Sequence, residues 1–142
     1  MVKILFLFGV LIFILNQCSF QEKNTSNAVL NKPSLLAFQR RLGVDGEGLE
    51  LYFTELSDAR CPAKVRCIWE GEAKITLIAI KNQDSLTLNI KIKGLCFDEN
   101  GGCSEEHNVF GYNIKILYLY PYPKKREIIK QKYRVKLLIN KK

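Results

Sequence analysis

Four cysteines are the residues whose type and spacing most clearly imply chemistry. Cys61 and Cys67 are separated by five residues, and Cys96 and Cys103 by six. Structural zinc sites favour more closely spaced C-x2–4-C pairs with further Cys or His ligands, and His107 is the only histidine of the sequence. We therefore predict two local disulfides, Cys61–Cys67 and Cys96–Cys103, and no metal site. Crossed pairing stays open, because four cysteines permit three connectivities.

Candidate catalytic residues are few. Glu70 and Glu72 straddle Gly71 and would share one face of a strand, as the paired carboxylates of a glycosidase do. His107 is the one imidazole base, and the sequence has no G-x-S-x-G or H-E-x-x-H motif and no glycine-rich phosphate loop. Residues 98–102 begin like a calcium loop without completing its pattern. We predict charged surface residues here, with no catalytic residue and no cofactor.

The disulfide-bracketed segment is the first candidate for binding. Lys64 and Arg66 fall between its two cysteines, where a rigid loop would present them as the loops of inhibitors do. Trp69 follows shortly after, and we expect it to be a core residue packed beside the bridge. The alternative is a stacking platform for a sugar or for a partner's proline.

An aromatic cluster near the end of the chain is the second candidate. Tyr120 and Tyr122 alternate with prolines, so if exposed they would form a contact surface beside the basic residues that follow. Asp58 and Arg60 flank the first cysteine of the disulfide loop. For that pair we predict a local salt bridge or a turn cap.

The amino-terminal segment predicts export. Lys3 precedes an apolar run, Ile4 to Leu15, which is shorter than the about 20 residues of a membrane-spanning helix and suits a signal peptide. Leu15-Asn16-Gln17-Cys18 resembles a lipobox, although Gln17 replaces the usual small residue. Setting Cys18 aside also leaves an even number of cysteines. We predict a signal peptide at 1–17 and a lipid anchor at Cys18; a soluble secreted or periplasmic protein is the alternative.

The positive net charge of +8 is concentrated in residues 124–142. Such an excess of basic residues is typical of proteins that bind nucleic acid, anionic lipid or acidic polysaccharide. A solvated strand face and tail is the simpler interpretation, and export argues against nucleic acid. The expected partners are the membrane, through the anchor at Cys18, and an unidentified envelope protein or glycan.

The elements that must position these residues are strands. Residues 18–33 are polar and aperiodic and predict a flexible tether, which leaves 34–142 as the folded domain. Apolar residues alternate with polar ones, which predicts six or seven short strands with one buried face each. They are expected near 35–42, 49–54, 68–80, 86–92, 112–120 and 133–139. We predict an all-β domain, an antiparallel β-sandwich or a partly open barrel.

Four segments carry a resemblance to a known family. Residues 58–71 read D-A-R-C-P-A-K-V-R-C-I-W-E-G, and G-Y-N-I-K-I-L, P-Y-P and Y-R-V-K-L follow. Over roughly 35–140 the chain resembles a family of small exported bacterial proteins, often lipoproteins, with a D-S-R-C-P-x-x-V-x-C-V/I-W-A-G block. Ala59 and Glu70 depart from that block, and the Cys96–Cys103 pair is an addition to it. The resemblance implies an exported β-domain and no particular activity.

The combined expectation is a non-catalytic, lipid-anchored protein of the cell envelope with a binding or structural role. The alternative is a secreted inhibitor or ligand-binding module that uses loop 61–67 as its contact surface.

Overall fold

The computed structural model describes residues 25–94, 96, 103–124 and 127–142. These residues form nine strands and one turn of 3-10 helix, Lys130–Lys132. The strands are β1 (Thr25–Ala28), β2 (Ser34–Ala37), β3 (Arg41–Val44), β4 (Leu49–Asp58), β5 (Glu72–Lys81), β6 (Asp84–Lys93), β7 (Glu106–Val109), β8 (Tyr112–Tyr120) and β9 (Arg134–Lys141).

The strands form two sheets. The five-stranded sheet has the order β1-β3-β4-β5-β6, and the four-stranded sheet has the order β2-β9-β8-β7. All pairs are antiparallel except β1 with β3. The two sheets do not join into a barrel, so the predicted all-β fold is confirmed in its sandwich form.

The core lies between the sheets and follows from the alternation of the longer strands. In β4, Leu49, Leu51 and Phe53 are fully buried while their neighbours are partly exposed. β5, β6 and β9 repeat this pattern, and Phe38 meets Phe53 edge-on with ring centroids 5.3 Å apart. Alternation works because successive side chains of a strand point to opposite faces.

Two bulges interrupt the alternation. The register of β4 on β5 shifts between Phe53 and Glu55, and that of β8 on β9 between Ile116 and Tyr118. Past the second shift, all residues from Ile116 to Leu119 are buried. The simple alternation expected along β8 therefore ends at Ile116, because a bulge inserts one extra residue opposite its partner strand.

Four boundaries differ from the sequence-based expectation. The predicted tether is structured from Thr25, because β1 pairs with β3 and Ala28 contributes to the core. The strand expected at 35–42 is two strands in different sheets, separated by a turn in which Gln39 has φ 55°. Residues 68–71 precede β5 rather than beginning it, and β7 lies between the strands expected at 86–92 and 112–120, where no strand was predicted.

A polar contact joins the sheets at one end of the sandwich. The Tyr112 hydroxyl of β8 donates to Glu47 Oε2 at 2.5 Å, and Lys81 Nζ donates to the same hydroxyl oxygen at 2.9 Å. Lys141 Nζ lies 3.0 Å from Glu47 Oε2. The hydrogen bond from Tyr112 and then that from Lys141 hold the pKa of Glu47 below its usual value. We call these residues the Glu47 latch, and the candidate site lies at the opposite end of β4.

Candidate functional site

The segment between β4 and β5 is a hairpin loop closed by a disulfide. Ala59 N donates to Glu72 O at 2.9 Å and Cys61 N to Glu70 O at 2.8 Å, which extends the β4–β5 ladder beyond the strands. Cys61 and Cys67 are bonded with Cα atoms 6.0 Å apart, as predicted. We refer to residues 61–70 as the tip loop.

A buried ion pair lies beneath the tip loop. Arg60 is 4% exposed, and its Nε and Nη2 donate to the two carboxylate oxygens of Asp58 at 2.9 and 2.7 Å. Its Nη1 donates to Leu119 O at 3.2 Å, and its Nη2 also donates to Pro121 O at 3.0 Å. The local salt bridge predicted for this pair is therefore confirmed, and it also ties β4 to the end of β8 in the other sheet.

Two tyrosines complete this polar cluster. The Tyr133 hydroxyl donates to Asp58 Oδ2 at 2.9 Å; burial and the neighbouring carboxylate raise the pKa of Tyr133 to about 12. The Tyr122 ring lies 5.0 Å from the guanidinium of Arg60, and its hydroxyl is 3.0 Å from the carbonyl oxygens of Cys61 and Gly94. We call Asp58, Arg60, Tyr122 and Tyr133 the Arg60 cluster.

Two glycines permit the backbone to pack closely at the base of the loop. Gly71 has φ 70°, and a Cβ there would lie 2.0 Å from Ala59 O. A Cβ on Gly94 would lie 2.1 Å from Glu70 O. Gly94 N donates to Gly71 O at 3.0 Å, so the end of β6 also braces the loop.

The outer part of the loop is attached to the second sheet. Ala63 N donates to Pro123 O at 2.9 Å, just after the cis Tyr120–Pro121 bond at the end of β8. Val65 N donates to Pro62 O at 3.2 Å, forming the turn at the tip. The loop is thus fixed by its bridge, by its ladder and by contacts with both sheets.

Against this fixed base, the side chains of the tip point into solvent. Ile68 is 96% exposed, Trp69 71% and Val65 50%, and Lys64 and Arg66 are exposed as well. The expectation that Trp69 is a core residue is wrong. Cys67 is itself exposed, so the bridge does not provide a buried surface for the indole.

The tyrosines proposed as a contact surface have different surroundings. Tyr122 is partly buried and supports the tip loop through its hydroxyl. Tyr120 is partly buried, with its ring centroid 4.6 Å from that of Tyr118. The exposed aromatic surface at this end of the molecule is Trp69, which alternation along a strand could not indicate because the loop has no periodicity.

The residues considered for acid–base chemistry line one open cleft of about 730 Å³. It runs between the edge of β6 and the segment before β7, and its lining includes Glu70, Glu72, Glu105 and His107. Glu72 Oε1 lies 3.2 Å from Lys74 Nζ in a surface ion pair. Among the described residues no group of three potential ligands is arranged to hold a metal ion. Most of the residues that resemble a calcium loop lie outside the described part.

The second disulfide joins Cys96 to Cys103, with Cα atoms 5.5 Å apart, which confirms local pairing. Cys103 is buried, and its N donates to Ile116 O at 2.8 Å. The bridge therefore ties Cys96 to a residue that is hydrogen-bonded to β8 beside its bulge. Two disulfides in one small domain are typical of compartments outside the reducing cytosol.

The predicted signal peptide and Cys18 lie outside the described residues. No helix within the described ranges is long and apolar enough to cross a membrane. Comparisons with protein-family models, curated proteins and solved structures found no significant match. The fold and the tip loop therefore define the class, a two-sheet β-sandwich with a rigid, disulfide-closed loop at one end.

Proposed function

We propose that this protein is an exported, non-catalytic binding module of the cell envelope, tethered through Cys18, with the tip loop as its contact surface. The observation that carries the proposal is the exposure of Ile68 and Trp69 on a loop whose backbone is held by a disulfide and by both sheets. Exposed apolar side chains on a fixed base are typical of a surface that another molecule covers.

The rigidity of the loop favours binding. A loop ordered before the encounter loses little conformational entropy when its partner arrives. Trp and Arg are also the residue types most enriched among those that dominate binding energy. Trp69 and Arg66 supply both types within four positions, and neither contributes to the core.

The structure gives a reason to favour the loop over the other candidate surfaces. Tyr122 contributes to loop support, and Tyr120 packs on a neighbouring ring, so both have structural roles. The two exposed apolar residues of the 3-10 region, Ile128 and Ile129, are 36% and 43% exposed and lack a comparable rigid frame.

Binding of the purified protein to isolated envelope material tests the proposal. We expect Trp69→Ala and the double variant Lys64→Ala/Arg66→Ala each to reduce binding at least about tenfold, since each removes a major contact. Leu86→Ala is the matched control, because Leu86 is 44% exposed and pairs with Ala79 near the β5–β6 turn, at the end of these strands opposite the loop. Each variant must keep its far-UV circular dichroism and both disulfides.

Equal binding by the wild-type protein and both loop variants would contradict the proposal. A loss of binding in Leu86→Ala as large as in Trp69→Ala would also contradict it, because the contact would then not be specific to the loop.

A further inference from the structure

We propose that the tip loop inserts into the interfacial region of an anionic lipid bilayer. This inference rests on the proposed function and names the partner of the same surface. It predicts that the apolar side chains enter the headgroup–acyl boundary while the basic ones stay at the lipid phosphates.

The apolar side chains match the chemistry of that boundary. Trp69 has an apolar ring system with one N–H donor, and such side chains concentrate at membrane–water interfaces. Ile68 is almost fully exposed beside it, and Val65 is half exposed. Three apolar side chains at the end of a rigid projection are suited to shallow insertion, in which no backbone group has to enter the hydrocarbon.

The charges around the tip are complementary to an anionic surface. Lys64 and Arg66 flank Val65, and the hydrogen bond from Ala63 N to Pro123 O brings Lys124, the next residue, to the same end of the molecule. Long basic side chains can keep their charges at the phosphates while their methylene stems contact apolar groups. Glu70 is the one acidic residue within the tip loop.

The chemistry of the tip favours a bilayer over a protein partner. Its three apolar side chains expose on the order of 400 Å², and basic residues flank them, which is the combination of apolar burial and attraction to anionic lipid that holds segments at a membrane interface. A bilayer also requires no complementary shape, and it adds about fivefold in affinity for each basic residue near an anionic surface.

The direction of the strands points the segment before Thr25 towards the same end. β1 runs parallel to β3, and β3 runs antiparallel to β4, so Thr25 is the residue of β1 nearest the tip loop. Thr25 pairs with Arg41, which pairs with Tyr52. From Tyr52 the chain continues about 30 Å to Cys61, where the tip loop begins. The seven steps from Cys18 to Thr25 span at most about 25 Å, so they cover most of this distance when they extend towards the tip loop.

Tryptophan fluorescence tests the proposal directly, because Trp69 is the single tryptophan of the sequence. The described core lies entirely between Ala28 and Ile139, so a chain of residues 19–142 keeps the sandwich and lacks both the apolar run and Cys18. With vesicles of mixed phosphatidylglycerol and phosphatidylcholine, we expect a blue shift of the emission and quenching by bromine-labelled acyl chains. Vesicles of phosphatidylcholine alone should give a much smaller response.

Two variants with matched controls locate the contact. Lys64→Glu/Arg66→Glu should lower partitioning at least about 25-fold, from two basic residues at about fivefold each. Lys32→Glu/Lys142→Glu makes the same change in net charge at exposed positions away from the loop. This control should lower partitioning far less. Ile68→Ser should lower partitioning roughly tenfold, whereas Leu86→Ser, at the opposite end of the sandwich, should leave partitioning nearly unchanged.

An unchanged emission of the wild-type chain with anionic vesicles would overturn the inference, and this result depends on no variant. A blue shift that Lys64→Glu/Arg66→Glu leaves intact would overturn it as well. If loop-dependent binding to envelope material persists without any response to vesicles, the proposed function stands with a protein or glycan partner. If binding to envelope material does not depend on the loop, the proposed function itself fails.

Discussion

Arg60 shows how one side chain can stabilise a loop that it does not belong to. Its guanidinium donates to Asp58 and to two carbonyl oxygens of the opposite sheet, and it lies near the ring of Tyr122. A buried ion pair contributes little net stability compared with an apolar pair of the same volume. Its effect lies in orientation, because breaking it leaves an uncompensated charge in the core.

We therefore predict that Asp58→Ala lowers the free energy of unfolding by about 3–5 kcal/mol. The side chains of Arg60 and Asp58 are only 1% and 0% exposed, so water cannot replace the lost carboxylate. Urea unfolding of wild type and variant measures the difference.

The exposed pair Arg41–Glu50 provides the control. Its nitrogen and oxygen are 3.2 Å apart, with side chains 44% and 25% exposed. Glu50→Ala should cost less than about 1 kcal/mol, because surface ion pairs contribute little. Similar losses for Asp58→Ala and Glu50→Ala would contradict the role given to the buried pair.

Gly71 and Gly46 give a second comparison at the scale of single residues. Both have positive φ, 70° and 73°, but a Cβ at Gly46 meets nothing within 4 Å, whereas one at Gly71 would overlap Ala59 O. Gly46→Ala should cost about 1–2 kcal/mol for its conformation alone. Gly71→Ala should cost clearly more, since the backbone at the base of the loop must also move. Equal unfolding free energies of the two variants would show that this base is not tightly packed.

The sequence predicted the pairings but not the exposure of single loop residues. The charges and spacing of Asp58 and Arg60 indicated a local ion pair, and the cysteine spacings indicated both bridges. Trp69 was expected in the core because large aromatic residues are usually buried. Its exposure depends on the path of an aperiodic loop, and the Arg60 cluster beneath that loop unites residues from three separate segments.

At the scale of elements, the long strands were predictable and the short ones were not. β4, β6, β8 and β9 have eight or more residues each, and each contains a run of alternating apolar and polar side chains that has few interpretations other than a strand. β1 and β7 have four residues each, too few to establish a period against polar surroundings. The division between β2 and β3 depends on the left-handed conformation of Gln39, which the residue type does not indicate.

The Glu47 latch makes an element-scale prediction about pH. It holds the β3–β4 turn against β8 and β9, and its contacts lower the pKa of Glu47 from 4.5. Because the folded-state pKa is depressed, this stabilisation is present above about pH 4.5 and is lost as the pH falls through the lower folded value. Wild type should therefore lose more stability than Glu47→Gln when the pH is lowered from neutral to below 4.

Urea midpoints of both proteins across this pH range measure the effect. Asp45→Asn is the matched control, since Asp45 lies in the same turn and is exposed. If the urea midpoints of wild type and Glu47→Gln fall in parallel as the pH is lowered, the latch does not contribute to acid sensitivity.

For the molecule as a whole, the two sheets are fixed to each other at both ends and packed in between. The Glu47 latch closes one end, the Arg60 cluster closes the other, and an apolar core fills the space between them. The Cys61–Cys67 bridge lies outside this frame, because Cys67 is exposed and belongs to neither sheet. The fold and the shape of the tip loop should therefore depend on different parts of the chain.

The double variant Cys61→Ala/Cys67→Ala separates the contribution of the bridge to the fold from its contribution to the tip loop. Closing so short a loop stabilises the folded chain by about 2 kcal/mol, which is small for a sandwich with this core, so the variant should retain its far-UV circular dichroism. Its tip loop should become mobile, and trypsin should cut after Lys64 or Arg66 much faster than in the wild type, whose bridge restrains both sites. Mass spectrometry of the fragments identifies the bonds that are cut.

The fluorescence of Trp69 in this double variant should also respond more weakly to anionic vesicles, because a mobile loop must be ordered on insertion. A variant that unfolds would instead assign the bridge to the frame of the sandwich, and an unchanged rate of cleavage would mean that the ladder and Pro123 suffice to hold the tip.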